Sequence, residues 1–331
     1  MTKVVQRLIQ NRTPTIVGHE RIALTTTTTP ALSMPAVHGA PQCVWDAGAT
    51  LGEGTCWSTR SASLWWIDIL EKRLFRYRPA DGVRDSWAFD EEISAVAERT
   101  DAPGLIVTLR RGYALFDPDA PDAAPRYLHR PEAEPAGNRF NDGKCDRSGR
   151  FWGGTMDFAC KAPTGALYCY QADGRCTRHE LGFAVTNGPT WSSDERTMYF
   201  NDTVRGHVHA FDFDPASGAI ANRREWLRFA RGDGFPDGMT TDAAGRLWLA
   251  HWGGACVSCH DPVSGAELGR INLPTAHITN CAFGGPELRT LFVTSARADL
   301  SAEQLAAQPL AGGLFAIELG EPGLPASMFG G

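Results

Sequence analysis

Short apolar runs separated by polar turns dominate the chain. The segment FPDGMTTDAAGRLWLAHWGG, residues 235–254, shows the unit: an acidic residue beside glycine opens an apolar run, a DAAGR turn follows, and a Trp-rich apolar run returns. This patterning predicts two short strands joined by a tight turn. The same phrase recurs as EGTCWSTRSASLWWIDI from Glu53, NDGKCDRSGRFWGGTMD from Asn141, TNGPTWSSDERTMYFNDT from Thr186 and TNCAFGGPELRTLFVTSA from Thr279. A weaker copy, ISAVAERTDAPGLIVTLRRG, starts at Ile93. The spacing of about 40 to 50 residues is that of propeller repeats. A third strand (RLFRYRP, GALYCYQ, HVHAFDFDP) and a less distinct fourth complete each unit. No long helical periodicity intervenes, which excludes an alternating βα architecture.

Six such units predict an all-β fold, a six-bladed β-propeller with four antiparallel strands per blade. CVWD at residues 43–46 and GGLFAIEL near the C-terminus are the natural contributors to a shared last blade. The propeller is expected over residues 41–331. Residues 1–40, with a Thr run and scattered prolines, are expected to form a weakly ordered N-terminal extension. They do not read as a secretory signal.

Composition narrows the function classes. A formal net charge of −6 without a Lys/Arg block gives no footprint for nucleic acid. No apolar stretch approaches the roughly 18 to 20 residues of a membrane-spanning helix. Nine cysteines, an odd number without small-scaffold spacing, suit a reducing compartment, so a cytoplasmic location is expected. The pair Cys256 and Cys259 falls inside an apparent strand, with no second pair to make a zinc site.

In a propeller the first strand of each blade lines the central channel, so polar residues opening successive first strands converge on the axis. Glu53, Asn141, Asn187 and Asp237 hold that position in four blades. A glycine follows each or its neighbour (54, 143, 188, 238) and permits unusual backbone angles and close approach. Asp-Gly and Asn-Gly pairs are also ordinary turns. Turns alone, however, do not require a polar side chain at a fixed distance before the strand in four copies. Oxygen donors from separate segments, with no His/Cys set nearby, suit a hard divalent cation.

The motifs LGEGTCW, NRFNDGKCDRSGRFWGGTM, TNGPTW, FPDGMTTDAAGRLWLAHWGG and CAFGGPELRTLFVTSAR together resemble the regucalcin/gluconolactonase family of sugar lactonases, in family order from residue 43 to the C-terminus. CVWDAGATLGEG and VTNGP are most similar to its bacterial pentonolactonase-like members. The resemblance implies one divalent metal ion in the channel, held by Glu53, Asn187 and Asp237. Calcium, zinc, magnesium, manganese or ferrous iron would each suit such ligands. It also implies substrate binding by Arg139, Asn141 and Asp142, and hydrolysis of a pentono- or hexonolactone to the aldonic acid. Asp237 is the expected general base, with Asp142 the alternative. One departure stands out: some relatives carry a Glu shortly after G-T-M, whereas this chain has Ala159 there and Asp157 as the nearby carboxylate. The expected partner is a small sugar lactone, with neither nucleic acid nor membrane, and the expected state is a monomer or small homo-oligomer. The competing functions are a non-enzymatic calcium-binding or docking propeller and a related propeller esterase or phosphotriesterase.

Overall fold

Six strands, Gly52–Ser58, Ile93–Glu98, Asn138–Cys145, Thr186–Trp191, Phe235–Thr241 and Ile278–Gly284, are each the innermost strand of a four-stranded antiparallel sheet. They are almost wholly buried, while outermost strands such as Val83–Ala88 and Ile220–Arg228 are half-exposed or open to solvent. Burial therefore falls with distance from a common axis, the signature of a six-bladed β-propeller. The computed structural model describes residues 32–120, 123–230 and 232–331.

The ring closes as expected. Leu314–Leu319 is the third strand of the last blade, and Val37–Trp45 pairs antiparallel with it as the fourth. The closing strand thus begins at Val37, inside the stretch expected as extension; residues 1–31 of that stretch lie outside the described residues.

Each seam between blades has its own apolar cluster. One joins Trp57, Leu64 and Trp66 of the first blade to Phe292 and Leu314 of the last. Another joins Trp248, Val257 and Cys259 of the fifth blade to Cys281, Val293 and Phe315 of the sixth. Four further clusters fill the remaining seams in the same way. Among the described residues no helix layer covers these sheets; neighbouring blades supply the second layer for each other.

The repeated D-x-x-G-R-x-W phrase has a local cause. Asp146 Oδ2 accepts from Arg150 Nε (2.6 Å) and Trp152 Nε1 (2.8 Å), and Asp242 Oδ2 accepts from Arg246 Nε (2.6 Å) and Trp248 Nε1 (3.0 Å). One buried carboxylate thereby fixes the turn between the first two strands and anchors the Trp that fills the next seam.

After the last strand the chain crosses the end of the channel where the first strands finish. Pro322 O accepts from Ala243 N, and Phe329 N donates to Glu98 O. Phe329 then buries beside Tyr170, with ring centroids 5.9 Å apart. Leu324 to Ser327 line the space at that end, so the segment caps the channel and leaves access from the opposite face.

Candidate active site

Every innermost strand breaks its pairing register near its start. The irregularities fall between Glu53 and Cys56, Ile93 and Ala95, Phe140 and Gly143, Asn187 and Thr190, Pro236 and Met239, and Ile278 and Cys281. A bulge leaves residues unpaired and re-aims side chains; here it turns polar groups towards the axis at the level of the open face. Two glycines are required by this geometry. Gly188 has φ +87° and presents its N–H to Asp142 Oδ2 at 2.8 Å. A Cβ on Gly238 would stand 2.3 Å from Asn280 Nδ2.

A cavity of about 410 Å³ opens on that face. Glu53, Asn187 and Asp237 line it together with Arg139 and Asn141, and all five are buried. Asn141 Oδ1 accepts from Arg139 Nη1 (2.6 Å), and its Nδ2 donates to Thr186 O (2.7 Å) and Asn187 Oδ1 (3.2 Å). Asn187 Nδ2 donates to Thr203 Oγ1 (2.9 Å), which fixes Oδ1 as the acceptor from Asn141, with one lone pair remaining. Asp142, expected at the substrate, is absent from the cavity lining. Its oxygens accept the N–H groups of Gly143 and Gly188, both at 2.8 Å.

Three buried carboxylates share this region. Burial, then the Asp142 carboxylate, push Glu53 from 4.5 up to about 8. Burial, then Glu53 and Asp142, raise Asp237 well above the usual carboxylate range, and burial also raises Asp142. Burial lowers Arg139. Glu53 and Asp142 accept hydrogen bonds only from neutral groups, the N–H of Gly54, Gly143 and Gly188 and the carboxamide of Asn280. Carboxyls crowded and buried in this way, which a bound cation would allow to ionise together, fit a divalent cation beside the remaining lone pair of Asn187. No cluster of three or more His, Cys, Asp and Glu suited to a metal occurs among the described residues; the set here is two carboxylates and a carboxamide.

Several participants escaped the sequence reading. Asn280 accepts from Thr55 Oγ1 (2.7 Å) and donates to Glu53 Oε2 (3.2 Å), orienting the carboxylate from the next blade. Its signal was present in the T-N-C copy from Thr279. Asn201 Nδ2 donates to the Asp237 carbonyl (2.6 Å). Phe158, Phe235, Trp252 and Asp299 line the cavity near its mouth. Asp157 does not: its carboxylate accepts the N–H groups of Ala159, Lys161 and Ala162, so it caps its own loop. Trp57, Trp65, Trp152, Trp191 and Trp248 are core residues, whereas Trp252 reaches the cavity. Cys256 and Cys259 are free, buried thiols that burial pushes up to about 11 and about 12.

A six-bladed propeller with an oxygen-donor floor at one end of a capped channel defines the class. Residues 51–297 match the SMP-30/gluconolactonase/LRE-like region, and the chain belongs to that family. It is 36% identical over 258 residues to pentonolactonase XacC of Haloferax volcanii, covering 77% of this chain and 85% of that one. It is 33% identical over 296 residues to regucalcin of Gallus gallus, covering 88% and 98%. Among solved structures it resembles regucalcin of Agrobacterium tumefaciens, described as a calcium-binding protein, with a TM-score of 0.83 and 28% identity over 88% of this chain and 97% of that one.

Proposed function

We propose that the protein hydrolyses a sugar lactone to the corresponding aldonic acid, using one divalent cation held by Glu53, Asn187 and Asp237. The observation that carries the reading is the convergence of those three side chains, from three blades, on one cavity open at a single face. Its relatives named as lactonases support the chemistry. When bound, such a cation supplies Lewis acidity to the ester carbonyl and acidifies water.

The chain's own groups complete the reaction. Water adds to the ester carbonyl carbon, the bond to the ring oxygen breaks, and a proton passes from the water to that oxygen. Asp237 lines the cavity and would take and return this proton; burial, then the Glu53 and Asp142 carboxylates, raise its proton affinity well above that of an ordinary carboxylate. Arg139 is held by Phe140 O (2.9 Å) and Asn141 Oδ1 through one nitrogen. The rest of its fork remains for substrate oxygens or the product carboxylate. Asp142 acts indirectly, by fixing Gly188 beside Asn187.

No helix among the described residues is long and apolar enough to cross a membrane, and a small lactone is the expected partner. The test is base consumption against a panel of aldonolactones, with metal-stripped protein and after restoring calcium, magnesium, manganese, zinc or ferrous iron. Hydrolysis that needs a cation supports the reading. Cation binding without hydrolysis of any lactone would instead leave a calcium-binding propeller.

A further inference from the structure

Among the described residues, seven large apolar side chains remain exposed: Val37, Leu70, Phe158, Leu181, Val204, Phe235 and Val263. Four of them, Leu70, Phe158, Val204 and Phe235, line the one cavity that ends at the polar floor. Scattered exposed apolar residues need no explanation, whereas a concentration of them around a site does. The fold shows how it arises. Leu70, Phe158, Val204 and Trp252 come from the connections between second and third strands of the first, third, fourth and fifth blades, or from the strand end beside one. Those connections stand on the open face. The second blade turns tightly there and contributes Arg110, whose guanidinium packs 5.0 Å from the Phe158 ring centroid.

Polar groups free to meet substrate hydroxyls are confined to the floor, chiefly the rest of the Arg139 fork, and are few above it. Asn141 is committed to Arg139, Thr186 and Asn187, and the Asn187 amide nitrogen is committed to Thr203. Asp157 is committed to its own loop, and Ala159 supplies no carboxylate. At the rim the charged side chains are Asp299 and, packed against Phe158, Arg110. A volume of about 410 Å³ also lies within the range that holds drug-sized ligands, beyond the needs of a bare sugar lactone ring.

We propose that the preferred substrate is a lactone bearing an apolar substituent, a deoxy, methyl or alkyl group, on the side away from the ester. Leu70, Phe158, Val204, Phe235 and Trp252 form the collar that covers it. This rests on the lactonase reading above and specifies its substrate.

The test compares γ-butyrolactones carrying methyl, ethyl, propyl and butyl groups with D-xylono-1,4-lactone and L-rhamnono-1,4-lactone. The expected result is a kcat/KM that rises about two- to fourfold per added methylene, with the deoxy sugar lactone preferred over the pentonolactone. Phe158→Ser and Phe235→Ser should flatten that rise, their losses growing with chain length. A flat or falling series, with the fully hydroxylated lactone preferred, overturns the inference and leaves the lactonase reading standing. If no lactone is hydrolysed, the lactonase reading falls, and calorimetric titration with the matching alkyl lactams still reads the collar: affinity that grows with chain length supports it, and constant affinity or no binding overturns it. Self-association in sedimentation that Phe158→Ser abolishes, with the series unchanged, would reassign the collar to contact between copies and overturn the inference.

Discussion

The charge of Glu53 should set the pH dependence of stability in the metal-free protein. Folding carries this carboxyl from 4.5 to about 8. The folded form therefore holds the proton more tightly than the unfolded chain. The associated stability is fully present below about pH 4.5 and is lost as pH rises through about 8. At about 1.4 kcal/mol per tenfold change in proton affinity, the loss is of order 5 kcal/mol. A shift of roughly 10 °C in Tm follows for a domain of this size. Glu53→Gln removes the titration, and it also removes the largest charge acting on Asp237. In chelator, wild-type stability should fall between pH 5 and pH 8 by several kcal/mol more than that of the variant. A divalent cation at a thousand times its Kd should restore about 4 kcal/mol to the wild type at pH 8, and far less to the variant. The assay is urea unfolding at both pH values, with chelator and with cation. Parallel pH profiles for the two proteins, or equal rescue by the cation, would refute the reasoning.

Other substitutions probe separate parts of the site. Asp237→Asn should lower kcat on a lactone by about 10²- to 10⁴-fold; normal turnover with metal still bound, measured by elemental analysis, would remove Asp237 as the base. Asn280→Ala deletes the amide that orients Glu53 and should weaken cation affinity about 10- to 100-fold, read by calorimetric titration. An unchanged affinity would show that Glu53 is held without it. Phe329→Ala opens a void beside Tyr170 under the channel cap and should cost about 3–5 kcal/mol in urea unfolding; a change within error would mean that the cap contributes little to stability.

The blade count and the convergence of Glu53, Asn141, Asn187 and Asp237 on one cavity could be read from the chain because each rests on a repeated local pattern. The first-strand residue, the turn carboxylate and the seam-filling Trp return at one spacing. What escaped has physical causes. The closing strand runs from Val37 with an exposed outer face; an edge strand that meets solvent lacks the alternation that marks a half-buried one, so its start was hidden in the supposed extension. Asn141 and Asp142 both fall within a bulge, where period-two alternation no longer tells which side chain faces the cavity. Asn280 lacks the glycine that marks the other copies. Trp252 ends its strand, whereas Trp248 sits within it and is buried; residue type alone could not separate a core Trp from one at the mouth.

The most direct test is a crystal soaked in manganese and measured for anomalous scattering. The account predicts a single peak in the cavity within about 2.0 to 2.6 Å of oxygens from Glu53, Asn187 and Asp237. A cavity without a peak, or a peak held by other residues, would contradict it.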